Sequence, residues 1–204
     1  MKKIILSNIK MAESTLSANT DNSLMSRETE SKTSISKSFE SQTQISSDLK
    51  NHIISSIVSN LRSIIEENQQ SGRNKYIYKD NLFYSEVLPS ISLEQYIRHI
   101  FKYTEMDIST LILAVIYIDN FCEKFKYFLT PYNIYRLVLI SIYLSIKYNE
   151  DIFVNTITYA AIAGVSPDDL RNLEYQMSIA LDFAFYVKSE YYELYFNYFS
   201  KYSA

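Results

Sequence analysis

The stretch Leu129–Asp151, "LTPYNIYRLVLISIYLSIKYNED", decides how the rest of the chain is read. Thr130 followed by Pro131 has the form of a helix start: a capping hydroxyl, then a residue whose fixed φ suits the first helical position. From Ile134 to Ile146 the run is apolar almost all round. In a water-soluble protein such a helix is enclosed by its neighbours, and it is far shorter than the ~20 apolar residues of a membrane span. The helix is expected to end near Lys147, where the lysine and two adjacent acids, Glu150 and Asp151, close the stretch. A core helix therefore surfaces at a strongly polar end. Either the lysine complements the negative end of the helix and reaches into water, or that end is a contact point.

The segments on either side are helical as well. On the N-terminal side one runs from Ser92 to about Tyr103, opened by a Ser92/Gln95 capping box. A second begins near Asp107 and continues through "STLILAVIYIDNFCEK". On the C-terminal side a segment from Asn155 to Ala163 stops at Gly164, a C-cap glycine. The next opens with Ser166 as cap, Pro167 at the first position, and Asp168 and Asp169 at the positive helix end. It carries Leu170, Leu173, Met177, Ala180 and Leu181 on one stripe. A last aromatic helix, "SEYYELYFNYFSKY", follows. Upstream, Ile53, Ile54, Ile57, Val58, Leu61, Ile64 and Ile65 recur at helical spacing until Ser71-Gly72, and the loop "YIYKDNLFYSEVLPS" connects to Ser92. No segment alternates with period two between turn signals, so the fold class is all-α. The expected architecture is a five-helix domain (91–187) around the Leu129–Asp151 helix, preceded by a helix and loop (48–90) and followed by a C-terminal helix (188–204).

Composition narrows the function. Of 204 residues 47% are apolar, enough for a sizeable core, while only 2 glycines and 3 prolines argue against turn-rich β folds and glycine-rich phosphate loops. The net charge of −3 exerts no pull toward nucleic acid or an anionic membrane. A single cysteine, Cys122, makes no internal disulfide and suits a reducing, intracellular compartment, cytoplasm or nucleus. The opening "MKKIILSNIK" has an apolar run, Ile4–Leu6, much shorter than the ~7–15 residues of a signal-peptide core. Ser7 to about Gln44 is rich in Ser, Thr, Asn, Glu and Lys, and residues 1–47 are expected to be a disordered tail. His52 and His99 lie apart with no CxxC partner, and no phosphate-loop, dinucleotide or nucleophile-elbow motif is present. The acidic pairs Glu66-Glu67, Glu150-Asp151 and Asp168-Asp169 sit where helix ends place acids on the surface. Neither metal, cofactor nor catalytic constellation is expected.

"LAVIYIDNF", Leu129–Asp151 and "AGVSPDDLRNLEYQMSIALDF" together resemble a cyclin box, and specifically the PHO80-like (P/U-type) cyclins with a single box. The order and spacing of "YID", "KY" and "LE" over three successive helices match, as does the G-V-S-x-x-x-L-x-x-L-E signature before the fifth helix. The resemblance covers about Ile91 to Val187. It implies a non-catalytic regulator that binds and activates a cyclin-dependent serine/threonine kinase as a heterodimer, with roles in the cell cycle in some lineages and in phosphate and nutrient signalling in others. It places the family's kinase-binding lysine on Lys147 and its glutamate on Glu174, which together satisfy main-chain groups around the kinase C-helix. It places the "YID" aspartate on Asp119. The family's first-helix arginine partner for that aspartate is missing from "PSISL" (Pro89–Leu93), and Arg98 is the nearby substitute. Glu150 and Asp151 are further candidates, positioned to meet arginines near the kinase activation segment in place of a phosphate. The alternative is a kinase-independent helical adaptor with the same fold. Its nucleic-acid-binding version would need a basic face, which lysines and arginines dispersed among more numerous acids do not make.

Overall fold

The computed structural model describes Ile5, residues 35–73 (35–46 by their helical backbone), 81–151 and 154–201. Among the described residues there are seven helices and no strand: α1 (Ile35–Gln70), α2 (Leu93–Thr104), α3 (Ile108–Phe125), α4 (Ile134–Asn149), α5 (Thr156–Ala163), α6 (Pro167–Ala180) and α7 (Ser189–Ser200).

α4 is the hub. Its residues from Leu137 to Ile146 are all buried, and it packs most extensively on α3 and then on α6. α3 is enclosed in the same way, with every residue from Thr110 to Cys122 except Leu113 and Asn120 buried. α1 lays its Ile53–Ile65 stripe on α7, α2 and α3. The helix ends follow the sequence closely. The Ser92 hydroxyl accepts from the Gln95 amide while the Gln95 side chain accepts from the Ser92 amide. Asn155 caps α5, Ser166 caps α6, and Gly164 ends α5 at φ +72°, a left-handed conformation that glycine adopts without the Cβ penalty.

Three expectations shift. α4 begins at Ile134 rather than at Pro131. Thr130 and Pro131 form a preceding turn, in which the Thr130 carbonyl accepts from the Asn133 and Ile134 amides and the Asn133 side chain accepts from the Thr130 amide. α1 begins at Ile35, well before Asp48. Its first part is polar in sequence, and a helix nucleated downstream gains a hydrogen bond for every residue added. Ile5, within the tail expected to be disordered, is buried in the main core. Residues 1–4 and 6–34 of that tail lie outside the described residues.

The abundance of tyrosine has a structural use. Tyr96 donates to the Ala163 carbonyl, Tyr117 to Phe185 and Tyr159 to Leu139, each across two elements. Each ring fills core volume while its hydroxyl satisfies a main-chain carbonyl, two of them at or beyond a helix C-terminus, where carbonyls lack helical partners.

Candidate functional site

The C-terminal end of α4, the middle of α6 and the turn after α6 meet at one surface. Lys147, in the last turn of α4, donates to Glu174 Oε1 of α6 at 2.5 Å. The two side chains are 33% and 24% exposed, so the pair sits at the rim of the core and is reachable from solvent. The Lys147 ammonium also lies 5.4 Å from the centre of the Tyr143 ring, within cation–π range. Burial works against the charge on Lys147. The hydrogen bond and charge of Glu174, with Tyr143 and Tyr148 adding, outweigh it and hold the ammonium pKa above the ordinary lysine value. The spacing Leu173, Met177 and Ala180 buries one stripe of α6 and leaves Glu174 on its flank, facing α4.

Aromatic residues adjoin both members of this pair in sequence. Tyr148, next to Lys147, is exposed and stacks on Phe185 with ring centres 4.1 Å apart. Tyr175 follows Glu174 and is exposed. In the turn, Asp182 and Phe183 both have left-handed backbones, φ +53° and +55°. For a phenylalanine that conformation costs about 1–2 kcal/mol. It is held by the Phe183 amide on the Ser178 carbonyl, the Ala184 amide on Leu181, and an ion pair between Asp182 and Lys124 of α3. The strain presents a Phe183 side chain that is 61% exposed, and Tyr186 beside it is 84% exposed. Two lone charges on a helix rim would be ordinary. A charge pair flanked by exposed tyrosines, with a strained turn carrying exposed rings after the same helix, is a surface suited to docking. The family resemblance pointed to Lys147 and Glu174, whereas nothing in the sequence singled out Tyr148, Phe183 or Tyr186.

The other candidates fall elsewhere. Glu150 is turned inward: its Oε1 accepts from the Asp107 amide at 3.0 Å and from the Thr110 hydroxyl at 2.5 Å. Asp107 precedes α3 and makes no side-chain cap, so Glu150 caps α3 from the end of α4 and sets a carboxylate on its positive end. Asp151 is exposed. Asp119 is 1% exposed, on the inner side of α3, and its two oxygens accept from the Ile5 amide at 3.1 Å and the Tyr195 hydroxyl at 2.5 Å. Burial, with the Asp119 charge adding, pushes the Tyr195 phenol far above its usual range, so it stays protonated and donates. Arg98 does not reach Asp119. Its guanidinium bonds Glu94, the Asn51 side chain and Ser55, fastening α2 to α1, because Arg98 sits on the α1-facing flank of α2. The histidines bridge elements: His52 meets the Lys201 carbonyl and His99 that of Ile162. Beside "PSISL" a groove of about 650 Å³ opens between α2, α4 and the α5–α6 corner, lined by Ile91, Tyr96, His99, Tyr135 and Ile162. Among the described residues no His, Cys, Asp or Glu cluster could hold a metal ion, and no helix is long and apolar enough to cross a membrane.

The helical architecture agrees with a sequence comparison: the Cyclin family model matches residues 2–185. The chain belongs to the cyclin family. Similar curated cyclins are plant proteins of the P and U types, which makes this a cyclin of the PHO80-like type. Cyclin-U2-1 of Arabidopsis thaliana is 30% identical over 147 residues, covering 68% of this chain and 65% of that protein. Cyclin-P3-1 of Oryza sativa subsp. japonica is 29% identical over 129 residues, covering 63% and 55%. Cyclin-U3-1 of Arabidopsis thaliana is 37% identical over 95 residues, covering 47% and 43%. The matched part of this cyclin spans about half the length of such relatives.

Proposed function

We propose that this cyclin is a non-catalytic regulatory subunit that binds a cyclin-dependent serine/threonine kinase and activates it by fixing the kinase C-helix inward. The observation that carries the reading is the solvent-reachable Lys147–Glu174 pair, flanked in sequence by the exposed Tyr148 and Tyr175. A lysine offers only donors and an ionised glutamate only acceptors, so together they can serve both the carbonyls and the N–H groups of a docked backbone. The aromatic rings supply the apolar seat. With its C-helix held inward, the kinase forms its own lysine–glutamate pair and positions the ATP phosphates. The cyclin contributes no reacting group. It biases a two-state element of its partner by binding one state better. Asp151, exposed at the same end of α4, is the acid available to kinase arginines, whereas Glu150 is held by α3.

The test is capture of the cyclin-dependent kinases of its source organism by the purified chain, beside Lys147→Glu and Glu174→Lys variants shown by circular dichroism to remain folded. One kinase held by the wild type and lost by both variants is the expected result. Capture that survives both reversals would place the interface elsewhere, and no capture of any kinase would overturn the kinase-regulator reading.

A further inference from the structure

A pocket of about 440 Å³ opens between α1 and α2 and shares no residue with the Lys147–Glu174 surface. Lys50, Arg98 and Lys102 line it, and no carboxylate does. The chain carries 20 lysines and arginines against 23 acids, so three cations and no acid around one concavity run against the composition. Helical spacing puts them there. α1 presents Lys50 and Ile54 to the pocket at a four-residue step, and α2 presents Arg98 and Lys102 at the same step. Like charges so placed repel each other. Among the described residues, Glu94 is the one carboxylate paired with any of the three, 3.0 Å from the Arg98 Nε. The guanidinium is held further by Nη1 on Asn51 Oδ1 at 2.8 Å and Nη2 on the Ser55 hydroxyl at 2.9 Å. It is thus fixed in place, and among the described residues one Nη1 hydrogen is left for a ligand. Ile54, 2% exposed, and the half-buried Phe101 form an apolar floor, and Ser47 and Asn51 add polar groups.

We propose that this pocket binds a phosphorylated serine or threonine of a partner protein. A phosphoryl group brings a charge of about −1.5 to −2 and three acceptor oxygens. Two ammonium groups and a pre-positioned guanidinium match both the charge and the acceptors with charge-assisted hydrogen bonds. Binding also relieves the repulsion between Arg98 and Lys102. Three cations gathered in one pocket suit a single phosphoryl group, whereas a nucleic-acid strand calls for a basic stripe or face. The floor decides between a peptide and a free anion. Ile54 and Phe101 can take the apolar side chain next to a phosphorylated residue, and Ser47 and Asn51 can meet its main chain; an inorganic anion would use none of these. Recognition here makes the choice of partner depend on that partner's phosphorylation, and it does not require the kinase reading to hold.

The test is an NMR titration of the isotope-labelled full chain with a capped peptide that holds phosphothreonine between two leucines. Saturable amide shifts are expected at Asn51, Ile54, Phe101 and Lys102, and the unphosphorylated peptide is expected to leave them unmoved. Lys50→Glu with Lys102→Glu should weaken binding at least about tenfold, since each charge-assisted bond lost counts for that much or more. Lys50 is half-buried and Lys102 exposed, so the exchange does not enter the core. Should that chain lose its helical circular dichroism, Lys50→Ala with Lys102→Ala serves in its place. Arg98 is left intact because it fastens α2 to α1. Equal shifts with the unphosphorylated peptide would overturn phosphoryl recognition. Inorganic phosphate binding as tightly as the phosphopeptide would make this a free-anion site and overturn the peptide assignment. Shifts scattered over basic residues outside the pocket, or binding unchanged in the folded double variant, would overturn the site itself. No readout contains a kinase, so this proposal can fail while the kinase reading stands, and the reverse.

Discussion

Exchanging the two charges at the end of α4 separates an intramolecular brace from a recognition site. In the free chain Lys147 and Glu174 satisfy each other at 2.5 Å with side chains 33% and 24% exposed. Solvent screening at that exposure limits the pair to about 1 kcal/mol of stability. Glu174→Lys alone removes that term and sets two ammonium groups together. Since both can swing into water, the total loss is expected to be about 1–2 kcal/mol. The double exchange Lys147→Glu/Glu174→Lys restores an opposite-charge pair but places an acid at the negative end of α4, a cost of about 0.3–1 kcal/mol. Its stability should therefore return to within ~1 kcal/mol of the wild type. Kinase affinity should not return. Each charged group that meets a kinase main-chain partner of fixed polarity is worth about 1.5–3 kcal/mol, so the double exchange loses about 3–6 kcal/mol, or roughly a hundredfold to ten-thousandfold. Urea unfolding followed by circular dichroism gives the first quantity and fluorescence anisotropy with labelled kinase gives the second. A double exchange that regains both stability and affinity, while single reversals lose both, would show that the pair only braces α4 against α6 and that the kinase reads something else.

Other variants probe the groups that position this surface. Tyr195→Phe deletes the donor to a buried carboxylate and should cost about 1.5–3 kcal/mol in urea unfolding; a loss below ~0.5 kcal/mol would mean that the bond adds nothing beyond the ring's packing. Glu150→Ala should cost about 1–2 kcal/mol, because it uncaps α3, while Asp151→Ala should change stability by less than ~0.5 kcal/mol; similar losses in both would contradict the inward placement of Glu150. Alkaline pH should unfold the protein steeply. Burial raises the phenol pKa values of Tyr96, Tyr117, Tyr159 and Tyr195, so above about 10 the unfolded chain releases protons that the folded chain retains. Stability present below that pH is then lost as pH rises, by up to about 1.4 kcal/mol per pH unit for each such tyrosine. Lys147, whose pKa is also raised, contributes with the same sign. A urea midpoint that stays level as pH rises from 9 to 11 would refute this, with tyrosinate absorbance reporting the ionisation directly.

What the sequence made legible is local. Ser92 with Gln95, Ser166 with Pro167, and Gly164 each announce a helix boundary, because a cap is settled within four residues. The enclosed character of α3 and α4 follows from apolar residues on all sides. Thr130-Pro131 misled for a related reason: the same residues suit a tight turn, and the Asn133 side chain closes one by accepting from the Thr130 amide. The polar start of α1 shows no apolar stripe from which to read its length. Lys147 and Glu174, 27 residues apart, were joined through family resemblance and not by pattern, since nothing in the spacing of a lysine and a glutamate on different helices says that they touch.

Asp119 shows the limit most sharply. An acid in the C-terminal half of an apolar helix calls for a partner, and Arg98 was the nearest cation to propose. A buried carboxylate needs donors, but they need not be charged, and here a phenol from residue 195 and an amide from residue 5 serve. Neither carries any mark in the sequence. Tyr195 is one of nineteen tyrosines, and every residue but proline has an amide. Arg98 meanwhile has exposed partners closer at hand on α1, where its charge remains partly hydrated. The phenol and the amide tie α7 and Ile5 to α3 through one residue. The aspartate that is a side-chain pairing in the family pattern becomes, in this cyclin, the point where the two ends of the described chain are fastened together.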